Sequence, residues 1–139
     1  MKYNELKQKQ QQEINDFTFG FAFNNQQFKE MMESFGLKET DTDKIYSIGA
    51  GGYIRKTDSK AMEEMFAKHE QERQQEINND KDGSGYVYQM FKYELANHEY
   101  CISCDLEPTF NALGLTEKQV FENPKLLKGL NLALKEYKE

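Results

Sequence analysis

The amino-acid sequence predicts an α+β fold: a mostly helical single domain with one short antiparallel β-hairpin. Three observations support this prediction. Apolar residues recur at helical spacing in several segments, and capping residues stand at the ends of some of those segments. One glycine-rich turn also separates two short segments with strand character. The length of 139 residues and the lack of internal repeats indicate one domain over residues 1–139.

Two helices are predicted before residue 37. The first covers residues 2–17, on a narrow stripe that a glutamine interrupts: Tyr3, Leu6, Gln10, Ile14 and Phe17. Thr18–Phe23 alternates with period two and is rich in Phe, so we expect a buried extended link. Asn24 or Asn25 can cap the second helix, and Gly36 can end it in the left-handed conformation. The inner face of this helix consists of Phe28, Met31, Met32 and Phe35.

The predicted hairpin pairs Lys44–Ile48 with Tyr53–Thr57 across a glycine-rich turn. The turn resembles the opening of a dinucleotide-binding fingerprint. That motif needs a third glycine, where this chain has Ile54, and a helix directly after the loop. A strand pattern follows instead, so the glycines are better explained by the positive φ angles of a tight turn.

A long helix is predicted from residue 58 or 59 to about Asn79. Glu70–Glu76 contains no apolar residue, so we expect the second half of this helix to face solvent or a partner. Tyr86–Tyr100 fits a strand face and a helix face, and the helix is the better match. Its helical stripe is Val87, Met90, Phe91, Glu94, Leu95 and His98.

Helix signals are clear in the C-terminal third. Thr116 and Gln119 have the spacing of a capping box. Asn123 is the predicted N-cap of the next helix, with Pro124 at its first position. A last helix is expected to follow, with an apolar stripe made of Leu126, Leu127, Leu130, Ala133, Leu134 and Tyr137.

Composition narrows the function classes. The chain has 18 basic and 24 acidic residues, for a net charge of -6, which argues against binding to nucleic-acid phosphates. No apolar run reaches the ~20 residues that cross a bilayer. The first residues lack the apolar segment of a secretory signal, so we expect a cytoplasmic protein without membrane association. Cys101 and Cys104 are then expected to be free thiols.

Asp80–Val87 resembles the first half of an EF-hand calcium loop. Asp80, Asp82 and Ser84 occupy loop positions one, three and five. Position twelve must supply a bidentate carboxylate, and here it is Phe91. Ordinary turn chemistry between two helices explains the same residues, and we favour that interpretation.

The most polar chemistry lies between residues 94 and 105. The candidate functional cluster consists of Glu94, Asn97, His98, Glu99, Cys101 and Cys104. A zinc site using His98 and the Cys-x2-Cys pair lacks a clear fourth ligand, and a Cys/His nucleophile pair lacks an oxyanion motif. Alternatively, the segment is structural, with Glu94 and His98 in contact at i,i+4 and both cysteines buried. No residue is assigned as catalytic, and no metal or other cofactor is expected.

Three segments resemble a known family: Phe91–Cys101, Ser47–Tyr53 and Phe21–Phe28. That family consists of small uncharacterised proteins from phages and integrative mobile elements of low-GC Gram-positive bacteria. The resemblance extends from Phe17 to Leu115. It implies an accessory role in a mobile element and a cytoplasmic location, and it supplies no activity, cofactor or catalytic residue.

We therefore predict a non-enzymatic accessory protein that acts by protein–protein binding. The expected partner is an unidentified protein or a second copy in a homodimer, and nucleic acid and membranes are not expected partners. The acidic charge, the lack of a complete catalytic constellation and the half-polar long helix support this prediction. Two alternatives stay open, a zinc or calcium domain and a small Cys/His enzyme.

Overall fold

The protein is described by a computed structural model over residues 2–137, which contain eight α-helices and one three-stranded antiparallel sheet. The predicted α+β class, mostly helical with a small sheet, is therefore confirmed. The helices are α1 (Tyr3–Asp16), α2 (Asn25–Ser34), α3 (Ser59–Asn79), α4 (Tyr86–Asn97), α5 (Tyr100–Ser103), α6 (Glu107–Ala112), α7 (Glu117–Glu122) and α8 (Pro124–Leu134). The strands are β1 (Gly20–Phe21), β2 (Ile45–Gly49) and β3 (Gly52–Arg55).

The chain divides into two compact units. Unit 1 contains residues 1–11 and 70–139, and unit 2 contains residues 12–69. The boundaries fall inside α1 and α3, so each of these helices contributes residues to both units. The prediction of a single domain over residues 1–139 stays a prediction.

The core of unit 1 forms where α4 packs against α8. Tyr86–Asn97 is a helix, as its stripe predicted, and Val87, Phe91 and Leu95 on that stripe are completely buried. Gly129 of α8 lies directly beneath Val87, since a Cβ atom at this glycine would be 2.5 Å from Val87 Cγ1. The absence of a side chain at residue 129 therefore allows the two helices to approach closely.

The predicted caps of the C-terminal helices are confirmed. Thr116 Oγ1 accepts a hydrogen bond from the Gln119 amide at 3.1 Å, and Gln119 Oε1 accepts one from the Thr116 amide at 2.9 Å. Asn123 Oδ1 accepts from the amides of Lys125 and Leu126, with Pro124 in the first turn. These side chains satisfy amides that have no partner inside a helix.

Helix α3 has the predicted bounds, but its second half is not simply a free face. Within unit 1, Lys9 Nζ lies 2.5 Å from Glu72 Oε2, and Arg73 Nη1 donates to Gln10 Oε1 at 3.1 Å. The first half of α1 therefore covers one side of this polar segment, and the other side is exposed. Among the described residues, no helix is both long enough and apolar enough to cross a membrane.

Unit 2 combines α2 with a sheet in the order β1-β3-β2. The predicted hairpin is formed by β2 and β3, and β1 adds a third strand through the pair Gly20–Tyr53. Helix α2 begins as predicted, since Asn24 Oδ1 accepts from the Gln27 amide at 2.8 Å. Its core residues are Met31, Met32 and Phe35, which pack with Ala22 and Ile45.

The prediction that Thr18–Phe23 is a buried link is wrong for two of its aromatic side chains. Phe21 is 60% exposed and Phe23 is 74% exposed, whereas Gly20 and Ala22 are buried. A Cβ atom at Gly20 would lie 2.5 Å from Met31 Cγ, so α2 packs tightly against the small residues of the segment. The alternation is real, but the small residues face inward and Phe21 and Phe23 face outward.

Candidate functional site

The structure separates the predicted cluster into a buried part and an exposed part. Glu94 is only 1% exposed, and both cysteines are exposed at the surface. Asn97 ends α4 and His98 caps it, half-buried. Two left-handed residues, Glu99 (φ 55°) and Cys104 (φ 55°), then flank the single turn of α5. Of the six residues, Asn97 and His98 therefore contact Glu94, whereas Cys101 and Cys104 are exposed.

Glu94 is held in unit 1 by side chains of α1 and of its own helix end: Tyr3 and Lys7, and Asn97 and His98. Its Oε1 accepts hydrogen bonds from the Tyr3 hydroxyl at 2.7 Å and from Lys7 Nζ at 2.5 Å. Its Oε2 lies 3.3 Å from Nε2 of His98, one helical turn later. Because a buried carboxylate is unfavourable unless it is paired and hydrogen-bonded, these contacts explain why Glu94 can occupy the core.

The pKa values agree with this geometry. Burial favours the neutral form of Glu94, but the hydrogen bonds from Lys7 and Tyr3 and the positive charge of Lys7 outweigh it, so the pKa is lowered. Burial and the hydrogen bond to Glu94 raise the pKa of Tyr3. These shifts favour the anionic form of Glu94 and the protonated hydroxyl of Tyr3, which donates the hydrogen bond between them.

A zinc site requires at least three donor atoms close together. Within residues 2–137, His98, Cys101 and Cys104 do not bring three ligand atoms within 4.8 Å of one another. The expectation that the cysteines are small buried hydrophobes, which belonged to the structural alternative, is wrong because both are exposed. Helix α5 is too short to bury one face, and Ile102 between the cysteines is 77% exposed.

The Asp80 loop is closed by turn chemistry. Asp80 Oδ1 accepts from the Gly83 amide at 3.0 Å, and Oδ2 accepts from Gly85 at 3.2 Å and from Val87 at 2.9 Å. Asp82 pairs with Ser84 and with Lys128, and these hydrogen bonds lower its pKa. Both carboxylates already have partners, which favours the turn interpretation over a calcium loop.

A groove of about 600 Å³ lies beside the Glu94 network, between the start of α1 and the outer side of α4. The rings of Tyr3 and Tyr93 form part of its wall, with centroids 5.6 Å apart, and Gln89 accepts a hydrogen bond there from the Tyr3 amide at 3.1 Å. Its lining, among the described residues, contains no Cys, Ser or His that could serve as nucleophile or base.

The sequence analysis missed an apolar surface on unit 2. We call it the sheet patch and define it by four side chains that are 41–74% exposed: Phe21, Phe23, Tyr46 and Ile48. Cross-strand partners share one face of a sheet. Phe21 pairs with Gly52 and Tyr46 pairs with Ile54, which are alternate residues of β3, so Phe21 and Tyr46 lie on the same face.

The other two residues of the sheet patch, Ile48 and Phe23, each lie against a glycine of the hairpin. A Cβ atom at Gly52 would lie 2.9 Å from Ile48 Cγ1, so the Ile48 side chain extends over Gly52, beside Phe21. A Cβ atom at Gly51 would lie 2.4 Å from the Phe23 ring, so this ring rests on the turn. The opposite face of the sheet carries Ile45 and Tyr53, which pack with α2. The face towards α2 is therefore core. On the other face the central residue Ile54 is only 1% exposed, and the four side chains of the sheet patch stay exposed around it.

Residues 2–136 match the model of a family of unknown function, DUF7659, and the chain belongs to that family. The expected membership of a family without known function is thus confirmed. No curated protein and no solved structure matches the chain.

Proposed function

We propose that this protein is a non-enzymatic accessory protein of a phage or integrative mobile element. In this proposal it acts in the cytoplasm by binding another protein through the sheet patch. The observation that carries the proposal is a group of substantially exposed side chains at the hairpin: Phe21, Tyr46 and Ile48 on the sheet face opposite α2, and Phe23 on the adjoining turn.

Grouped apolar side chains are unfavourable on a surface that only meets water, and such patches mark protein interaction sites. Aromatic residues are also common among the side chains that dominate binding energy. Phe23 rests on Gly51 and Ile48 rests on Gly52, so both side chains are supported before any partner arrives. A supported side chain loses less conformational entropy on binding, which favours affinity.

The rest of the molecule supports a non-enzymatic role. Glu94 is engaged by Tyr3 and Lys7 at 2.7 and 2.5 Å, which leaves it unsuited to act as a base. The polar second half of α3, which first suggested a partner, is partly covered by α1 in unit 1. The sheet patch therefore supports a binding partner better than the polar half of α3 does.

The origin and location rest on the family resemblance. Two of the three resembling segments, Phe21–Phe28 and Ser47–Tyr53, include residues of the sheet patch or its supporting turn. A mobile-element protein without an activity of its own would act by occupying a protein of the host or of the element, and the sheet patch is a suitable surface for that.

The test is affinity capture from a low-GC Gram-positive lysate with the tagged full chain. The binding variant carries Phe21→Ser and Phe23→Ser, and the matched control carries Ile102→Ser and Phe121→Ser, which are exposed apolar residues of unit 1. We expect one protein to be enriched by the wild type and by the control, and to be lost with the binding variant. Equal capture by all three proteins, or no capture by any, would contradict the proposal.

A further inference from the structure

We infer that the groove between the start of α1 and the outer side of α4 binds a small planar aromatic anion. In this inference the aromatic ring of the ligand lies on the exposed ring of Tyr93, and its negative group faces Lys2 and Lys92. The groove belongs to unit 1, whereas the sheet patch belongs to unit 2, so the inference goes beyond the proposed function.

The first argument is that the groove is already formed without a ligand. Its volume is about 600 Å³, within the range of about 300–1,000 Å³ that is typical of small-molecule sites. Two hydrogen bonds fix its walls to each other, since the Tyr3 hydroxyl donates to Glu94 at 2.7 Å and the Tyr3 amide donates to Gln89 at 3.1 Å. A ligand therefore meets two helices that are already in place, which reduces the entropy lost on binding.

The second argument is the aromatic wall. Tyr93 lines the groove and is 42% exposed, although aromatic side chains bury much apolar area when they are covered. The Tyr3 ring lies beside it, with centroids 5.6 Å apart, and Lys7 Nζ lies 4.7 Å from the Tyr93 centroid. Residues of α1 therefore hold the Tyr93 ring in position while part of it stays open to the groove. A planar aromatic ligand would cover that part by stacking on it.

The third argument is the charge of the lining. Lys2 and Lys92 line the groove, and among the described residues no Asp or Glu does, in a chain with a net charge of -6. Glu94, buried beside the groove, is paired with Lys7, whose Nζ lies 2.5 Å from its Oε1. Lys92 lies 3.6 Å from Glu136, but the two side chains are 56% and 42% exposed, so solvent weakens this pair and a ligand anion can compete with it. The groove therefore favours anions over cations.

The probe for the test is naphthoate, which combines a planar aromatic system with one carboxylate. Two analogues separate its contributions. Naphthamide has the same ring system without the charge, and cyclohexanecarboxylate has the charge without an aromatic ring. Titration of the isotope-labelled full chain, followed by NMR, measures the affinity and identifies the backbone amides that respond.

We expect chemical-shift changes at the start of α1 and along the outer side of α4. Naphthoate should bind about tenfold more tightly than either analogue, because each analogue lacks one of the two interactions. An affinity for naphthamide or for cyclohexanecarboxylate equal to that for naphthoate would overturn the inference. Changes confined to other parts of the chain, or no changes at all, would overturn it as well.

Two variants locate the binding. Lys92→Gln removes one charge and Tyr93→Ser removes the aromatic wall, and each should weaken naphthoate binding about fivefold. The matched controls are Lys118→Gln and Phe121→Ser, which change an exposed lysine and an exposed aromatic residue of α7 and should bind as the wild type does. Circular dichroism shows whether Tyr93→Ser is folded, and Lys92→Gln tests the site independently of that result. Unchanged binding by Lys92→Gln contradicts the inference.

The sheet patch supplies the last control, because naphthoate can also adhere to exposed aromatic side chains. The double variant Phe21→Ser and Phe23→Ser leaves the groove intact, so it should bind naphthoate as the wild type does. Loss of binding in this variant would place the probe on the sheet patch and overturn the inference. Capture of a protein through the sheet patch is measured separately, so the two proposals succeed or fail independently.

Discussion

Tyr3 and Glu94 lie 91 positions apart, and the Tyr3 hydroxyl donates a 2.7 Å hydrogen bond to Oε1 of Glu94. Lys7, one turn further along α1, reaches the same oxygen. The most chemically suggestive carboxylate in the sequence thus joins α1 to the last turn of α4. Its surroundings assign it to the architecture of unit 1.

Replacing Glu94 is expected to reduce stability. Glu94→Gln keeps the shape of the side chain but removes the negative charge that accepts hydrogen bonds from Lys7 and Tyr3. We therefore expect a loss of about 1–3 kcal/mol in the free energy of unfolding. Urea unfolding followed by circular dichroism measures this loss. The control is Glu5→Gln, an exposed position of α1 that should change little. Equal stability of both variants would show that the network contributes nothing.

The same network predicts a dependence of stability on pH. The pKa of Glu94 in the folded protein lies below its ordinary value of 4.5, so the folded state binds fewer protons than the unfolded state. Its contribution is fully present well above pH 4.5 and is lost as the pH falls towards the folded-state pKa. The difference in unfolding free energy between wild type and Glu94→Gln should therefore shrink in acid. Parallel curves across that range would contradict the assignment.

Close packing of α4 and α8 predicts sensitivity at Gly129. Gly129→Ala places a Cβ atom 2.5 Å from Val87 Cγ1 and 2.8 Å from the carbonyl oxygen of Gly83, so the helices must separate. Overpacking of this kind destabilises by about 1–3 kcal/mol. Thermal unfolding should show a lower midpoint, with Asn131→Ala on the exposed side of α8 as control. An unchanged midpoint would contradict the close packing of Gly129 against Val87.

Exposure of both cysteines predicts their chemical behaviour. Cys101 and Cys104 should react with a maleimide in the native protein, without denaturant, because neither is shielded. We expect two labels per chain at comparable rates, followed by mass spectrometry over time. Single-cysteine variants (Cys101→Ser and Cys104→Ser) assign each rate. A thiol that reacts far faster than its neighbour would support the alternative of a Cys/His enzyme.

Much of the secondary structure could be predicted because its signals are local. The caps at Asn24, Thr116 and Asn123 act within three residues, and the hairpin follows from its glycine turn. The prediction of α4 is confirmed because its apolar residues recur at helical spacing. The shortest elements were missed, since β1 exists only through pairing with β3.

The site could not be predicted in the same way. The residue types around Glu94 indicate a functional cluster. The structural role of Glu94, however, depends on its contacts with Tyr3 and Lys7, which are distant in sequence. For Thr18–Phe23 the period was correct and the inward side was wrong, because α2 packs so closely that only Gly20 and Ala22 fit beneath it. Large apolar residues are usually buried, and the sheet patch is an exception that sequence alone does not reveal.

Unit 1 is built from two separate stretches of chain, with all of unit 2 between them. During synthesis, Tyr3 and Lys7 are made long before Glu94, so their hydrogen bonds with Glu94 can form only after residue 94 has been added. Residues 12–69 are complete before that, and contiguous units fold as synthesis proceeds. The order of synthesis therefore favours folding of unit 2 first. The start of α1 can pack against α4 only later. A translational pause before residue 94 would extend the time in which the apolar side of that helix is exposed.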